Sequence, residues 1–284
     1  MIGIFDSGLG GLTVLRALSA RFPNQAFCYL GDHANMPYGE RTSDDVVALT
    51  RAGVEHLFND GARLVVLGCN TATAVAARSL QQNWLPTSQW PKHNVVGIVA
   101  PTVEAATQTP WAVTTPQYPQ KYNDDTIAVF ATTRTIAANV YAEEIRKRCP
   151  RVIVHQQPCA GLAGAIEDRM PLAQIDEMVA EYVTQLLHKA DGQPINRAIL
   201  GCTHYPIIED VFRRHLPSTT RLLSQPDIVS DSLEDYLARH PEYVSGGATA
   251  NRVRCFTTGD AVAASKAARV FWQDAPMFEA RPVE

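Results

Sequence analysis

Short apolar runs rich in Val, Ile and Leu alternate along the chain with stretches in which apolar residues recur every three or four positions. A continuous run closed by a polar or glycine-containing turn suits a strand buried on both faces, and the longer period suits an amphipathic helix. The runs predict strands at 2–5 (IGIF), 26–30 (AFCYL), 63–67 (RLVVL), 94–99, 127–131 (IAVFA), 152–155 (VIVH), 197–200 (RAIL), 220–223 and 252–256. The periodic stretches predict helices over about 11–22, 43–59, 72–81, 134–148, 173–189, 207–215, 228–239 and 260–273. Boundary residues agree at 43–59, where Ser43 precedes the apolar face and Gly61 follows it. Strand and helix in regular alternation predict an α/β protein built on parallel sheets.

The pattern also repeats. IGIF-DSGLGGLTVLRAL, starting at Ile2, resembles IAVFA-TTRTIAANVYAEEI, starting at Ile127, and RLVVLG-Cys69-Asn70-Thr71 resembles RAILG-Cys202-Thr203-His204. The spacing is similar too, with 64 residues from Phe5 to Cys69 and 72 from Phe130 to Cys202. We therefore expect two similar parallel-sheet α/β domains facing each other across a cleft. Residues 1–98, completed by 225–284, form the first domain in this reading, and 99–224 the second. Two Pro-, Gln-, Thr- and Trp-rich tracts, 82–92 and 107–125, lack periodicity and are expected to be loop insertions around the strand at 94–99. Their Trp84, Trp90 and Trp111 are expected to cover loops rather than cage a ligand.

Composition narrows the class. With 46% hydrophobic and 19% charged residues in 284, the chain has material for two cores and no signature of disorder. The net charge is −4, and no cationic run exceeds Arg146-Lys147-Arg148, so a nucleic-acid footprint is missing. Neither an 18-residue apolar stretch nor a basic-then-apolar leader is present, and a cytoplasmic protein is expected. Six cysteines (28, 69, 149, 159, 202 and 255) are too dilute for a disulfide scaffold, and none forms a CxxC pair. They read as thiols, which leaves the question of which ones react.

Cys28 within AFCYL and Cys255 within RVRCF read as small core hydrophobes, Cys149 ends a charged helix, and Cys159 opens a turn. Cys69 and Cys202 differ: each follows a glycine at the end of an equivalent strand, and ligand sites in open α/β sheets form at the carboxyl ends of strands. Cys69 also begins a helix, whose free N–H groups and dipole are expected to pull a thiol below about 8.5. Cys202 has His204 two residues on, placed to hold or receive a proton, and Pro206 suits a first helical turn. One thiol would suggest a nucleophilic hydrolase. Two in equivalent places point to proton removal on one face of a carbon and return on the other, which is racemisation.

The turns around them carry groups suited to an amino acid's charges without a pyridoxal cofactor: Asp6, Ser7, Thr132, Thr135, Asn70, Thr71 and Thr203, with backbone nests at DSGLGG and Pro37-Tyr38-Gly39. Asp6 is the natural acceptor for a substrate ammonium or for a proton shared with a cysteine. A metal site is not expected, because no further CxxC or HxxxH set accompanies Cys202 and His204. The GLGG run lacks dinucleotide or P-loop spacing. A cysteine phosphatase would need Arg six residues after its thiol, where Val75 and Ile208 stand.

Four segments, DSGLGGLTV (6–14), GD-x4-PYG (31–39), LGCNTA (67–72) and GCTHYP (201–206), together resemble the cofactor-independent glutamate racemases, a family that makes D-glutamate for bacterial peptidoglycan. The resemblance spans nearly the whole chain, and four motifs in the right order are specific where one would not be. It implies that Cys69 exchanges the proton of D-glutamate and Cys202 that of L-glutamate. It puts Asp6 and Ser7 beside the first thiol and His204 beside the second, with Glu167 of CAGLAGAIE assisting. Tyr38, Gly39, Asn70, Thr71, Thr132, Thr135 and Thr203 would then bind substrate between two α/β domains. The Pro- and Trp-rich tracts are longer than this family leads one to expect, and Arg134 stands where smaller or variable residues often sit; its side chain is expected to face solvent, with contact to a carboxylate as the alternative. An aspartate or hydantoin racemase, or a non-catalytic amino-acid-binding protein, are the alternatives; a one-thiol decarboxylase is opposed by the second cysteine. The expected partner is a small-molecule substrate rather than nucleic acid or membrane, and a homodimer is admitted.

Overall fold

The computed structural model describes residues 1–120, 122, 124–245 and 252–281. Parts of the 107–125 tract and of the 225–284 segment therefore lie outside the described residues. Ten strands are described: β1 (Ile2–Asp6), β2 (Phe27–Gly31), β3 (Leu64–Leu67), β4 (Asn94–Gly97), β5 (Thr126–Ala131), β6 (Ile153–Pro158), β7 (Arg197–Gly201), β8 (Arg221–Leu223), β9 (Val253–Thr257) and β10 (Phe278–Ala280). They form two sheets, ordered β10-β9-β2-β1-β3-β4 and β6-β5-β7-β8, and every pairing is parallel.

The internal repeat is visible in these orders. The run β2-β1-β3-β4 matches β6-β5-β7-β8, with β1 and β5 in equivalent central positions. Ile4 lies between Tyr29 and Val66 in the first sheet, and Val129 between Gln156 and Ile199 in the second. Helices cover both faces of each sheet, which is why the central strands read as unbroken apolar runs. One face of the first sheet packs on helices Leu12–Arg21 and Gln225–Arg239 through Leu12, Leu15, Val229 and Leu233. The other face meets helix Ser43–Asn59 through Phe5, Val54, Leu57 and Val65. In the second sheet, helix Leu172–Ala190 covers one face and helices Val99–Thr107 and Val140–Arg148 the other.

The structure departs from the expected elements where local sequence is short or ambiguous. The strand expected at 94–99 stops at Gly97, and the apolar run continues instead into helix Val99–Thr107. That helix is buried on most sides, so it shows no polar face from which a period could be read. The helix expected over 134–148 is two, Thr133–Ala137 and Val140–Arg148, separated by Asn139 at φ 56°. Over 207–215, Tyr205–Ile208 is a 3-10 turn and only Glu209–His215 is α-helical. Helix Leu162–Glu167 and strand β10 are too short to leave a periodic trace. The tract 82–92 is not wholly loop, because Leu80–Trp84 and Leu85–Thr87 continue helix Asn70–Ser79 as a π turn and a 3-10 turn. Trp84 stacks on Phe58 at 6.3 Å between ring centroids, Trp90 tilts against the same ring at 5.6 Å, and Trp111 lies 4.5 Å from the Arg148 guanidinium. Trp84 and Trp90 are thus packing covers, while Trp111 packs on Arg148 and also lines a cavity. Among the described residues no helix is long and apolar enough to cross a membrane.

Candidate active site

The carboxyl ends of the two sheets face each other, and the turns leaving β1, β3, β5 and β7 touch. Asp6, the last residue of β1, is buried; its Oδ1 accepts the Gly8 N–H at 2.8 Å and its Oδ2 the Thr203 hydroxyl at 3.4 Å. Thr13 donates to the Thr203 carbonyl at 3.0 Å, a second link between the domains. Such contact requires glycine at position 10: a Cβ there would come within 2.4 Å of Thr203 Oγ1 and 2.5 Å of His204 Nδ1.

Each thiol has its own partners. Cys69 caps helix Asn70–Ser79, with Sγ 3.4 Å from the Ala72 N–H and 3.4 Å from the Ser7 hydroxyl. Cys202 Sγ is 3.7 Å from His204 Nδ1, and His204 Nε2 is 3.2 Å from Glu167 Oε2 at the end of helix Leu162–Glu167. The two sulfurs are close enough that charge on Cys202 acts on Cys69. Both cysteines are 5% exposed. Beside them, the hydroxyls of Thr71, Thr132 and Thr135 form a triangle with edges of 3.0, 3.1 and 3.0 Å across the domain boundary. Gly39 lies against Thr132.

Burial dominates the electrostatics. It raises Asp6 from 3.8 to about 6, with the Glu167 charge adding and the positive His204 and the Gly8 and Gly11 N–H groups opposing. Burial and the Asp6 charge push the Cys69 thiol up to about 12, against the Ala72 and Ser7 hydrogen bonds. Burial alone would lower His204, but its bonds to Cys202 and Glu167 prevail and hold it well above 6.5.

Two expectations are corrected by these observations. Cys69 stands at a helix N-terminus as expected, yet its thiol is raised rather than lowered, because full burial outweighs one 3.4 Å amide contact. Asp6 acts electrostatically on Cys69, and its Oδ2 also accepts the hydroxyl of Thr203, the residue after Cys202. Arg134 does not simply face solvent: it is half-buried, and its Nε is enclosed without a hydrogen-bond partner among the described residues. Helix Thr133–Ala137 packs against the 3-10 turn Tyr38–Glu40 and helix Asn70–Ser79, which draws Arg134 into the domain junction.

The remaining expected residues fall near the junction with their polar groups variously engaged. Tyr38 is buried and donates its hydroxyl to Asp32 at 2.6 Å, while Pro37 is exposed and precedes that turn. The Asn70 amide is bonded at both ends, to Gln225 and Tyr141. Sequence reasoning passed over Gln225, Tyr141, Thr102 and Asp32, because none stands in a turn beside a thiol and their proximity arises only on folding. A cavity of about 560 Å³, lined in part by Val96, Pro101, Trp111, Leu233 and Tyr236, lies along the segments joining the domains and contains neither thiol.

The Asp/Glu/hydantoin racemase family model matches residues 12–226. A glutamate racemase from Caulobacter sp. (strain K31) is 47% identical, covering 98% of this chain and 99% of its own length. Among solved structures, glutamate racemase isoform RacE1 from Bacillus anthracis superimposes with a TM-score of 0.84 at 27% identity, covering 100% of this chain and 98% of that one. A glutamate racemase from Francisella tularensis, solved with D-glutamate, gives 0.81 at 25% identity, covering 100% and 97%. With that span of matched sequence carried on the same two-sheet frame, the chain belongs to the Asp/Glu/hydantoin racemase family.

Proposed function

We propose that the protein interconverts L- and D-glutamate by two-thiol acid–base catalysis, without a cofactor. The observation that carries this reading is the pairing of Cys69 and Cys202 at the ends of equivalent strands, one in each sheet, each with its own polar partners. Full-length similarity to glutamate racemases selects glutamate within the family. In this reading the domains divide after residues 98 and 224.

The chemistry follows from the resting charges. Cys69, raised to about 12, rests as a thiol and can give a proton. His204, held well above 6.5, carries positive charge near neutrality and faces the Cys202 sulfur at 3.7 Å, which must be negative when it accepts the substrate hydrogen. Glu167 holds that imidazolium in place. For L-glutamate, Cys202 takes the Cα proton and Cys69 returns one to the opposite face; the D-to-L direction reverses the roles. Asp6 accepts the substrate ammonium, and Ser7, the threonine triangle, Asn70, Thr203 and the Pro37-Tyr38-Gly39 turn hold the carboxylates. The thiols are enclosed, so substrate enters by separation of the domains, and closure then keeps water from the carbanion-like intermediate. Its D-glutamate product would serve peptidoglycan synthesis, and the free thiols suit the reducing cytoplasm.

The test is optical activity with purified protein on L-glutamate, D-glutamate and both aspartates, together with iodoacetamide labelling. The reading expects glutamate to racemise and to protect residues 69 and 202 from alkylation. Racemisation of aspartate alone, or protection confined to other cysteines, would contradict it.

A further inference from the structure

Behind Cys69 lies a buried polar cluster that no proton-transfer step uses. Asn70 Nδ2 donates to Gln225 Oε1 at 2.6 Å, and Tyr141 donates its hydroxyl to Asn70 Oδ1 at 2.6 Å. Gln225 Nε2 donates to Thr102 Oγ1 at 2.9 Å and to the Tyr141 oxygen at 3.1 Å. The members are 2% (Asn70) and 0% (Gln225, Tyr141, Thr102) exposed, so water cannot replace a lost partner.

The cluster has one self-consistent polarity. Thr102 spends its only hydroxyl proton on the Ile98 carbonyl at 2.7 Å and can only accept from Gln225. That turns the Gln225 amide nitrogen toward Thr102 and its oxygen toward Asn70. The Asn70 oxygen then faces donors only, Tyr141 at 2.6 Å and the Gln225 amide nitrogen at 3.1 Å. The orientation of the Asn70 side chain is thereby dictated from the Ile98 carbonyl, four residues away in sequence from Thr102. The four residues come from four places: the turn holding Cys69, the first helix after the outward crossing between sheets, the second domain, and the first residue of helix Gln225–Arg239 on the return crossing. A group that touches both crossings and the residue next to a thiol can tie domain position to thiol position.

We infer that Gln225 is a positioning residue for Cys69: with Tyr141 and Thr102 it fixes the Asn70 amide, and through it the start of the helix that Cys69 caps. This rests on the two-thiol reading above. Deleting one directional bond here shifts the thiol relative to Cα without removing any reacting group.

The experiment compares Tyr141→Phe, which keeps the ring and removes the hydroxyl that donates to Asn70 and accepts from Gln225, with Gln225→Met. Val183→Ala, a cavity variant in the core of the second domain, serves as the stability control. The readouts are kcat and KM for glutamate and the pH dependence of iodoacetamide labelling at each thiol by mass spectrometry. The expected result is a kcat loss of about 10- to 10²-fold, the scale of a small misplacement of reacting groups. KM should change far less, and the Cys69 labelling curve should move while that of Cys202 stays. Val183→Ala should leave kcat and both curves as in the unaltered protein. Folded variants with unaltered kcat and an unmoved Cys69 curve would overturn the inference, as would equal shifts at both thiols. If the unaltered protein failed to racemise glutamate, the functional reading would fall, and the labelling curves would still decide whether Gln225 positions Cys69.

Discussion

Replacing Asp6 with Asn should make the protein more stable at neutral pH and far less active. Asp6 is wholly buried, and its carboxyl is raised from 3.8 to about 6 mainly by that burial. Between these values the folded protein binds more protons than the unfolded chain, so stability falls as pH rises through this window. Above pH 6 the penalty is complete; about two pKa units at 1.36 kcal/mol each make it roughly 3 kcal/mol. Asn removes the charge and keeps an oxygen for the Gly8 N–H. Thr203 can reverse its hydroxyl to accept from the new amide. The variant should therefore gain up to roughly 3 kcal/mol at pH 8, about 5 °C in Tm for a chain of this length, and the gain should vanish below about pH 4. Urea unfolding of both proteins from pH 4 to 8 measures it, with racemisation assayed in parallel. The reasoning is refuted by a variant that is less stable at pH 8, or by a stability difference that does not change with pH.

Cys69→Ser and Cys202→Ser should each fold and each lose about 10²- to 10⁴-fold or more in racemisation, read as optical rotation, since each removes one positioned acid or base. Glu167→Gln removes the charge that raises His204, so the His204 limb of the pH–rate profile should move to lower pH. Ser7→Ala deletes a hydrogen bond that lowers Cys69, so Cys69 labelling should require higher pH than in the unaltered protein.

Much of this architecture was legible because it depends on local repetition. The runs at 2–5, 63–67, 127–131 and 197–200 are central strands, and the matching Gly-Cys exits brought two thiols to equivalent edges. Ser7 lies 3.4 Å from the Cys69 sulfur, His204 3.7 Å from that of Cys202, and Glu167 3.2 Å from His204. What escaped depends on three-dimensional surroundings. Helix Val99–Thr107 goes unread beyond its first residue, which falls in the strand expected at 94–99, because burial leaves it without a polar face. The direction of the Cys69 shift was missed because a helix terminus is visible in sequence and burial is not. Gln225 sits in an unremarkable Ser-Gln-Pro helix start, and only the return of the chain to the first sheet brings it to Asn70.

The central claim is that two thiols act on opposite faces of one carbon, and solvent hydrogen exchange tests it most directly. Pure L- and D-glutamate, incubated separately with the protein in deuterium oxide without added cofactor, should each lose the Cα proton signal by NMR as the opposite enantiomer appears. In Cys69→Ser and Cys202→Ser net inversion should cease. Undiminished inversion in either serine variant, or an unaltered protein that leaves the Cα proton of both enantiomers in place, would contradict the account.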